Sequence, residues 1–380
     1  SMTVQGDTAV TVGGTIDNGC AVGVEGRDLS IEANGELTLE DATIVSAGDI
    51  TFKNDPSLTA DGIAPPASAI ESVSGGKEPE RAGHGGYWTL ISGTTVGYAG
   101  TAARDGLDGS PAEAGEDGHS ITFILRGDTD VTGNTLVWAQ DGGNGGDTEV
   151  SSAGEVTAMA GSGGSGGRVE FVQTGVLSFT GADNVIRGGS GGMGGSATAM
   201  GLPNSQGAKA PTAQATGGAG GMSGIPVFTI RSGEITLAQT GSLTLELGLP
   251  GDGGDAAATG AAGRDAESNA VPAQEGGDVV VAGGAGGNIP SSRPINRDDL
   301  LGSDPVIRGA GGAPLDGGDG GKATGTAGNG GNGIQSNKAG ANGGDLDVQG
   351  GGGGSSQLNG LDGELLGTGG AGGLALSLIH

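Results

Sequence analysis

The chain has 380 residues, of which 90 are glycine and only 2% aromatic, so a core packed with Leu and Phe is thinly supplied. Lys and Arg total 16 against 44 Asp and Glu; the formal charge of −28 repels a nucleic-acid backbone and suits solubility, a saline medium or weak cation binding. The 14 prolines and the lack of a glycine at every third position exclude collagen, the single Cys20 excludes an internal disulfide, and no apolar run reaches the ~18 residues of a membrane span.

Residues 4 to 60 read as short strands with alternating apolar positions: Leu29 with Ile31, Leu37 with Leu39, Ile50 with Phe52. Leu29 and Ile50 stand 21 residues apart, the length of one coil of three short strands in a parallel β-helix. Residues 61–85, with a Pro pair and mixed charge, read as a loop. The expected organisation is an N-terminal β-helix region, residues 1–85, continuous with a repeat region, residues 86–380.

In the repeat region, opening strands are expected at Ile121, Val169, Val227, Val279 and Leu346. Each leads through closing strands such as "TLVWAQDGG", "NVIRGGSGG" and "PVIRGAGG" into a glycine-rich excursion. An excursion such as residues 188–224 reads as an outward arm, a polar tip and a return arm. Paired glycines leave no side chains for a core, but they let backbones approach closely. Polyproline II arms packed side by side would bond laterally, satisfying amides that a lone arm leaves open. The fold expected is all-β, a right-handed parallel β-helix with stacked glycine-rich polyproline or polyglycine II excursions.

The strands followed by "GGSGGMGG", "GGNGG" and "GGAGG" resemble secreted or surface-exposed glycine-rich β-helix proteins of bacteria. The arms are similar to the polyglycine II layers of phage tail-fibre adhesins and to glycine-rich repeats of mycobacterial surface proteins. The likeness covers residues 86–380 and rests on composition and period, so it carries over no functional residue. It implies an exposed role, structural or in binding.

Motifs for catalysis are sparse. His84, His119 and His380 stand in no nucleophile or metal spacing, and HExxH and P-loop patterns are absent. A carbohydrate-active enzyme would need clustered carboxylates, and Asp105 with Asp108, or the Asp298 region, come nearest. Calcium would be held by Asp252 with Asp255, or Asp316 with Asp319, each pair three residues apart. Ligand contacts are expected at the tips: Asn204, Gln206 and Lys209; Arg264, Asp265 and Glu267; Gln335, Asn337 and Lys338; and Arg293 with Arg297 in a neighbouring insert. The partner expected is a cell-surface component, a polysaccharide or another copy of the chain, met outside the cell or on a particle surface.

Overall fold

The computed structural model describes the strands between residues 2 and 98, residues 105–356 apart from short breaks, and residues 367–378 apart from residue 369. The described chain is all-β, with a 3-10 turn at Ala310–Gly312. Pairing between its strands is parallel everywhere except at the short Thr89–Leu90.

Three sheets are built as the chain winds, and between Ile121 and Leu247 each pass adds one strand to each. Sheet I orders Met2–Gly6, Leu29–Ala33, Ile50–Asn54, Ile121–Arg126, Val169–Thr174 and Pro226–Ser232. Sheet II contains Thr129–Val131, Leu177–Phe179, Ile235–Leu237 and Leu300–Leu301. Sheet III includes Ala9–Asn18, Glu36–Ser46, Thr94–Tyr98, Thr135–Trp138, Asn184–Arg187, Leu243–Leu247 and Val306–Gly309. Leu29 lies opposite Ile50, as the 21-residue spacing predicts, although two strands rather than three fill that interval. "ELTLEDATIVS" runs on as one long strand. Ile50–Asn54 pairs with Ile121–Arg126, so the two sequence regions share one sheet.

In-register stacking places like on like. Phe123, Phe171 and Phe228 stand opposite one another, their rings stacked at 4.4 and 4.8 Å and within 8° of parallel. Ile121, Val137, Leu177, Ile186, Leu243 and Leu245 complete a core that solvent does not reach. Few aromatics are needed because each one repeats at the same place in the stack.

The excursions hold strands that sequence reading assigned to arms and tips. Thr148–Ser152, Ala197–Gly201, Ala256–Thr259, Ala323–Thr326 and Ala375–Leu378 form sheet IV. Val156–Met159, Ala213–Thr216, Val279–Ala282 and Leu346–Gln349 form sheet V. Between them lies a second core of small residues, including Ala158, Ala199, Ala215, Ala258, Val279, Val281 and Ala323. Val279 and Leu346 therefore do not open new units beside Ile121 and Val169. They align with Val156 and Ala213 at the far end of the excursions. In sheet I the place after Pro226–Ser232 goes to residues 294–295, where the Pro294 carbonyl accepts the Phe228 amide and Ile295 is buried.

Candidate functional site

Between the two cores runs a slab of glycine arms. Outward arms comprise residues 105–109, 141–147, 188–196, 248–255, 316–322 and 370–374; return arms comprise 111–120, 160–168, 217–225, 282–288 and 350–356. Hydrogen bonding follows a three-residue cycle, seen in full along one outward arm. The Gly191 and Gly194 amides donate to Leu249 and Asp252 carbonyls on the next outward arm, at 2.7 and 2.9 Å. The Gly192 and Gly195 amides donate at 2.8 Å to Gly164 and Gly161 on the preceding return arm. The Met193 and Ser196 amides donate to the side-chain oxygens of Asn144 and Asp147, at 2.9 and 2.6 Å. Every amide in the cycle has a partner, and two of each three positions lie too close to a neighbouring arm for any side chain. A Cβ at Gly191 would fall 2.2 Å from the Gly221 oxygen, and one at Gly192 would fall 1.9 Å from the Gly143 oxygen. The third position faces solvent.

That cycle gives the acidic residues a structural task. Asp105 and Asp108 accept the Asn144 and Asp147 amides, Asp117 accepts Ser165, and Asp141 accepts Ser190. Asp252 and Asp255 accept the Asp319 and Lys322 amides at 2.8 Å, and Asp319 in turn accepts Ala371. The repeat unit of the slab is thus a residue followed by paired glycines, and where that residue is Asp its carboxylate reaches the amide that the glycines leave over. Of the calcium candidates, Asp252, Asp255 and Asp319 each carry one of these bonds, and Asp316 is exposed on the same face. Among the described residues no group of three or more His, Cys, Asp or Glu side chains converges.

The tips are tied to one another. Asn204 donates from Nδ2 to the Ala153 carbonyl at 2.8 Å, spanning from one excursion to the one before it. The buried Gln274 donates from Nε2 to Asn204 Oδ1 and to the Lys209 carbonyl, while its Oε1 accepts the Arg264 amide at 3.2 Å. Lys209 pairs with Asp278 at 2.7 Å, and Asp265 accepts the Asn332 amide at 2.7 Å. Hydrogen bonding to Asp278 and the surrounding acidic charge raise the Lys209 ammonium above its ordinary value, against some burial. Burial pushes the Asp278 carboxyl up, but Lys209 and the Asp345 amide outweigh it and hold the group below its usual range. Arg264 and Glu267 pair loosely at 3.5 Å, with Glu267 exposed. Three predicted contact residues, Asn204, Lys209 and Asp265, therefore join successive tips, while Arg264 bonds within its own. Gln274, the hub, was not predicted; its only mark in sequence is a polar residue two places before the pair Gly276–Gly277. Gln206, Gln335, Asn337, Lys338, Arg293 and Arg297 lie outside the described residues, as do Asp298 and His84.

A charged ladder crosses sheet III where it meets the slab. Trp138, Arg187, Glu246 and Arg308 occupy one register row. Glu246, 2% exposed, accepts Arg187 on one oxygen and Arg308 on the other, at 2.9 Å from the Arg308 Nε, and the Arg187 guanidinium lies 4.7 Å over the Trp138 ring. Two guanidiniums satisfy one buried carboxylate, an arrangement that offsets its desolvation. The repeated "VIRG" thus marks two steps of a ladder whose middle rung is acidic. Nearby, burial raises the Asp141 carboxyl, opposed by the Ser190 amide and the Arg187 charge.

No family model matches the chain. No curated protein matches it either. Among solved structures, a springtail antifreeze protein from Granisotoma rainieri, a bundle of nine polyproline type II helices, aligns at 21% identity over 40% of this chain and 94% of its own, with a TM-score of 0.09. At that score the likeness carries no structural argument.

Proposed function

We propose that the chain is a non-catalytic scaffold with an adhesive role at a cell or particle surface. In this reading the three sheets wind as a right-handed parallel β-helix. The arms take the polyglycine II conformation and stiffen the excursions into one fin. The fin presents its polar tips to a cell-surface component or polysaccharide.

One observation carries the reading: the acidic side chains along the arms accept backbone amides across the slab. Carboxylates committed to amides are poor general acids or bases, since each proton taken up weakens a link between arms. The first candidates for an enzyme, Asp105 and Asp108, hold such links. A fin stiffened along its length and joined at its tips suits holding a surface at a set distance.

The test replaces Glu267 with Ser and residues 334–338 with Gly-Ser, leaving the Asn204–Gln274–Lys209 network intact. Binding is then measured to a broad panel of neutral and anionic polysaccharides and to whole cells. Loss of the binding shown by the unaltered chain, with unchanged thermal melting, is the expected result. Unchanged binding, or cleavage of any polysaccharide in the panel, would overturn the reading.

A further inference from the structure

The slab has two faces, one made by the outward arms with sheet IV and the other by the return arms with sheet V, and their chemistry differs. On the outward arms the solvent-facing third positions include the aspartates, from Asp105 to Asp319, that accept amides across the slab. On the return arms the same positions hold Ser162 and Ser165, Ala219 and Met222, then Ala285 and Asn288. This face continues into the outer side of sheet V. There Thr157 and Met159, Gln214 and Thr216, then Val280 and Ala282 alternate with the buried residues of the second core. None of these residues is charged, in a chain whose net charge is −28.

The face is open. Met159 is 55%, Met222 48% and Val280 42% exposed, and a Cβ at Gly352, the next third position, meets nothing within 4 Å. Charges stand at its rim. Asp117 and Asp347 belong to the outermost described chains of the face, and Glu155 and Arg168 lie at opposite ends of one chain. Glu155 precedes Thr157 by two residues and shares its side of the strand. Arg168 takes the third position after Ser165: its amide donates to Ser120 as that of Ser165 donates to Asp117. Both are exposed, and neither forms an ion pair among the described residues.

We propose that this uncharged face binds a second copy of the chain. Contact through the outward face would set carboxylates against carboxylates, whereas two return faces meet without that cost. The area is sufficient. At ~4.8 Å between paired strands, ~3.3 Å per residue in strands and ~3.1 Å in the arms, the four strands of sheet V and the arms after them cover about 20 Å by 40 Å. That is roughly 800 Å², what a stable interface takes from each partner. An uncharged centre inside a charged rim is also how such interfaces are composed.

The rim selects the orientation. Two copies meeting face to face are related by a two-fold axis in the plane of contact. With the axis along the stack, return arms lie antiparallel, and Arg168 of each copy comes over Glu155 of the other. With the axis along the arms, the order of the chains reverses. Glu155 then comes over Asp345, which occupies the same row one residue before the last strand of sheet V. The first arrangement closes two opposite-charge pairs and the second opposes like charges, so the first is the one inferred.

Sedimentation of the full chain over a range of concentrations is expected to show a monomer–dimer equilibrium. Ala219→Glu, in the middle of the face, should weaken the dimer by about tenfold or more, while Met193→Glu on the outward face should leave it within about threefold. Arg168→Glu and Glu155→Arg should each weaken it by about tenfold, and the two together should restore it to within about threefold of the unaltered chain. Melting of every variant, at dilutions where the monomer prevails, should match that of the unaltered chain, since all four positions are exposed. A chain that stays monomeric at its highest soluble concentration would overturn the proposal. So would a dimer indifferent to Ala219→Glu, a dimer lost with Met193→Glu, or a charge exchange that fails to restore association. None of these outcomes depends on what the tips bind.

Discussion

The Phe123–Phe171–Phe228 stack and the glycine slab stand on the same repeat, one copy for each pass of the chain, and hold successive passes together by opposite means. In the stack, backbones pair within sheet I and side chains fill the space behind it, so cohesion comes from buried rings. In the slab there is nothing behind the backbone but another backbone, and cohesion comes from amides bonded in two directions at once. A side chain is what the first region needs and what the second cannot admit. The comparison also shows how the fold offsets glycine's large ordering entropy: an arm is held by neighbours on several sides, so the arms order together or not at all.

The contrast is broken most severely by a methyl group. Gly221→Ala puts a Cβ 1.9 Å from the Gly164 oxygen in mid-slab, with backbone on both sides and no flexible atom to yield. Urea denaturation should register a loss of at least about 4 kcal/mol, while Met222→Ala at the neighbouring exposed position should stay within about 0.5 kcal/mol. Phe171→Ala in the stack is expected to lose about 3–5 kcal/mol. If Phe171→Ala were the mild change and Met222→Ala the severe one, the division of labour drawn here would be wrong.

Smaller effects sharpen the picture. Asp252→Ala removes the acceptor of the Asp319 amide and should lose about 1 kcal/mol, whereas Asp252→Asn keeps an oxygen in place and should lose less. The raised Asp141 carboxyl means that the folded state disfavours its ionised form; this penalty is absent below the ordinary carboxylate value, grows as pH rises from there to the folded one, and is complete above it. Asp141→Asn retains an acceptor for Ser190, so it should raise the melting temperature by about 1–3 °C near neutral pH, with the gain vanishing in strong acid. Because the described aspartates of the arms serve the backbone, removing calcium with a chelator should leave melting unchanged; a clear drop would return Asp252, Asp255, Asp316 and Asp319 to the role of ligands.

Much of the architecture was legible because parallel stacking writes like residues at matching places. Leu29 and Ile50 announce their pairing by spacing, and "ITFIL" and "VEFVQ" by like residues at like places; the opening at Val227 was read one residue late, since Val169 pairs with Pro226. Paired glycines likewise announced arms too close for side chains. The distal sheets were not legible, since "ATAMG", "AQAT" and "AAAT" bury alanine, which marks a core only when another small-residue strand faces it. That gap also misplaced Val279 and Leu346: their apolar character suits either core, and the excursion lengths do not say which. Among the tip residues, polarity was read as availability, yet Asn204 and Lys209 spend theirs on neighbouring tips. The aspartate-to-amide bonds were hidden for the same reason, because a carboxylate reads identically whether it meets a cation or a backbone N–H one arm away.

The central claim is that the arms are a hydrogen-bonded solid. It is tested most directly by native-state hydrogen exchange, resolved residue by residue over 188–196 and 217–224. Amides at all three positions of the cycle in 188–196, including Met193 and Ser196, and those of the paired glycines in 217–224 are expected to exchange as slowly as those of Val169–Thr174 in sheet I. Fast exchange in the arms beside a protected sheet I would contradict it, and would leave the stacked strands as the only ordered framework.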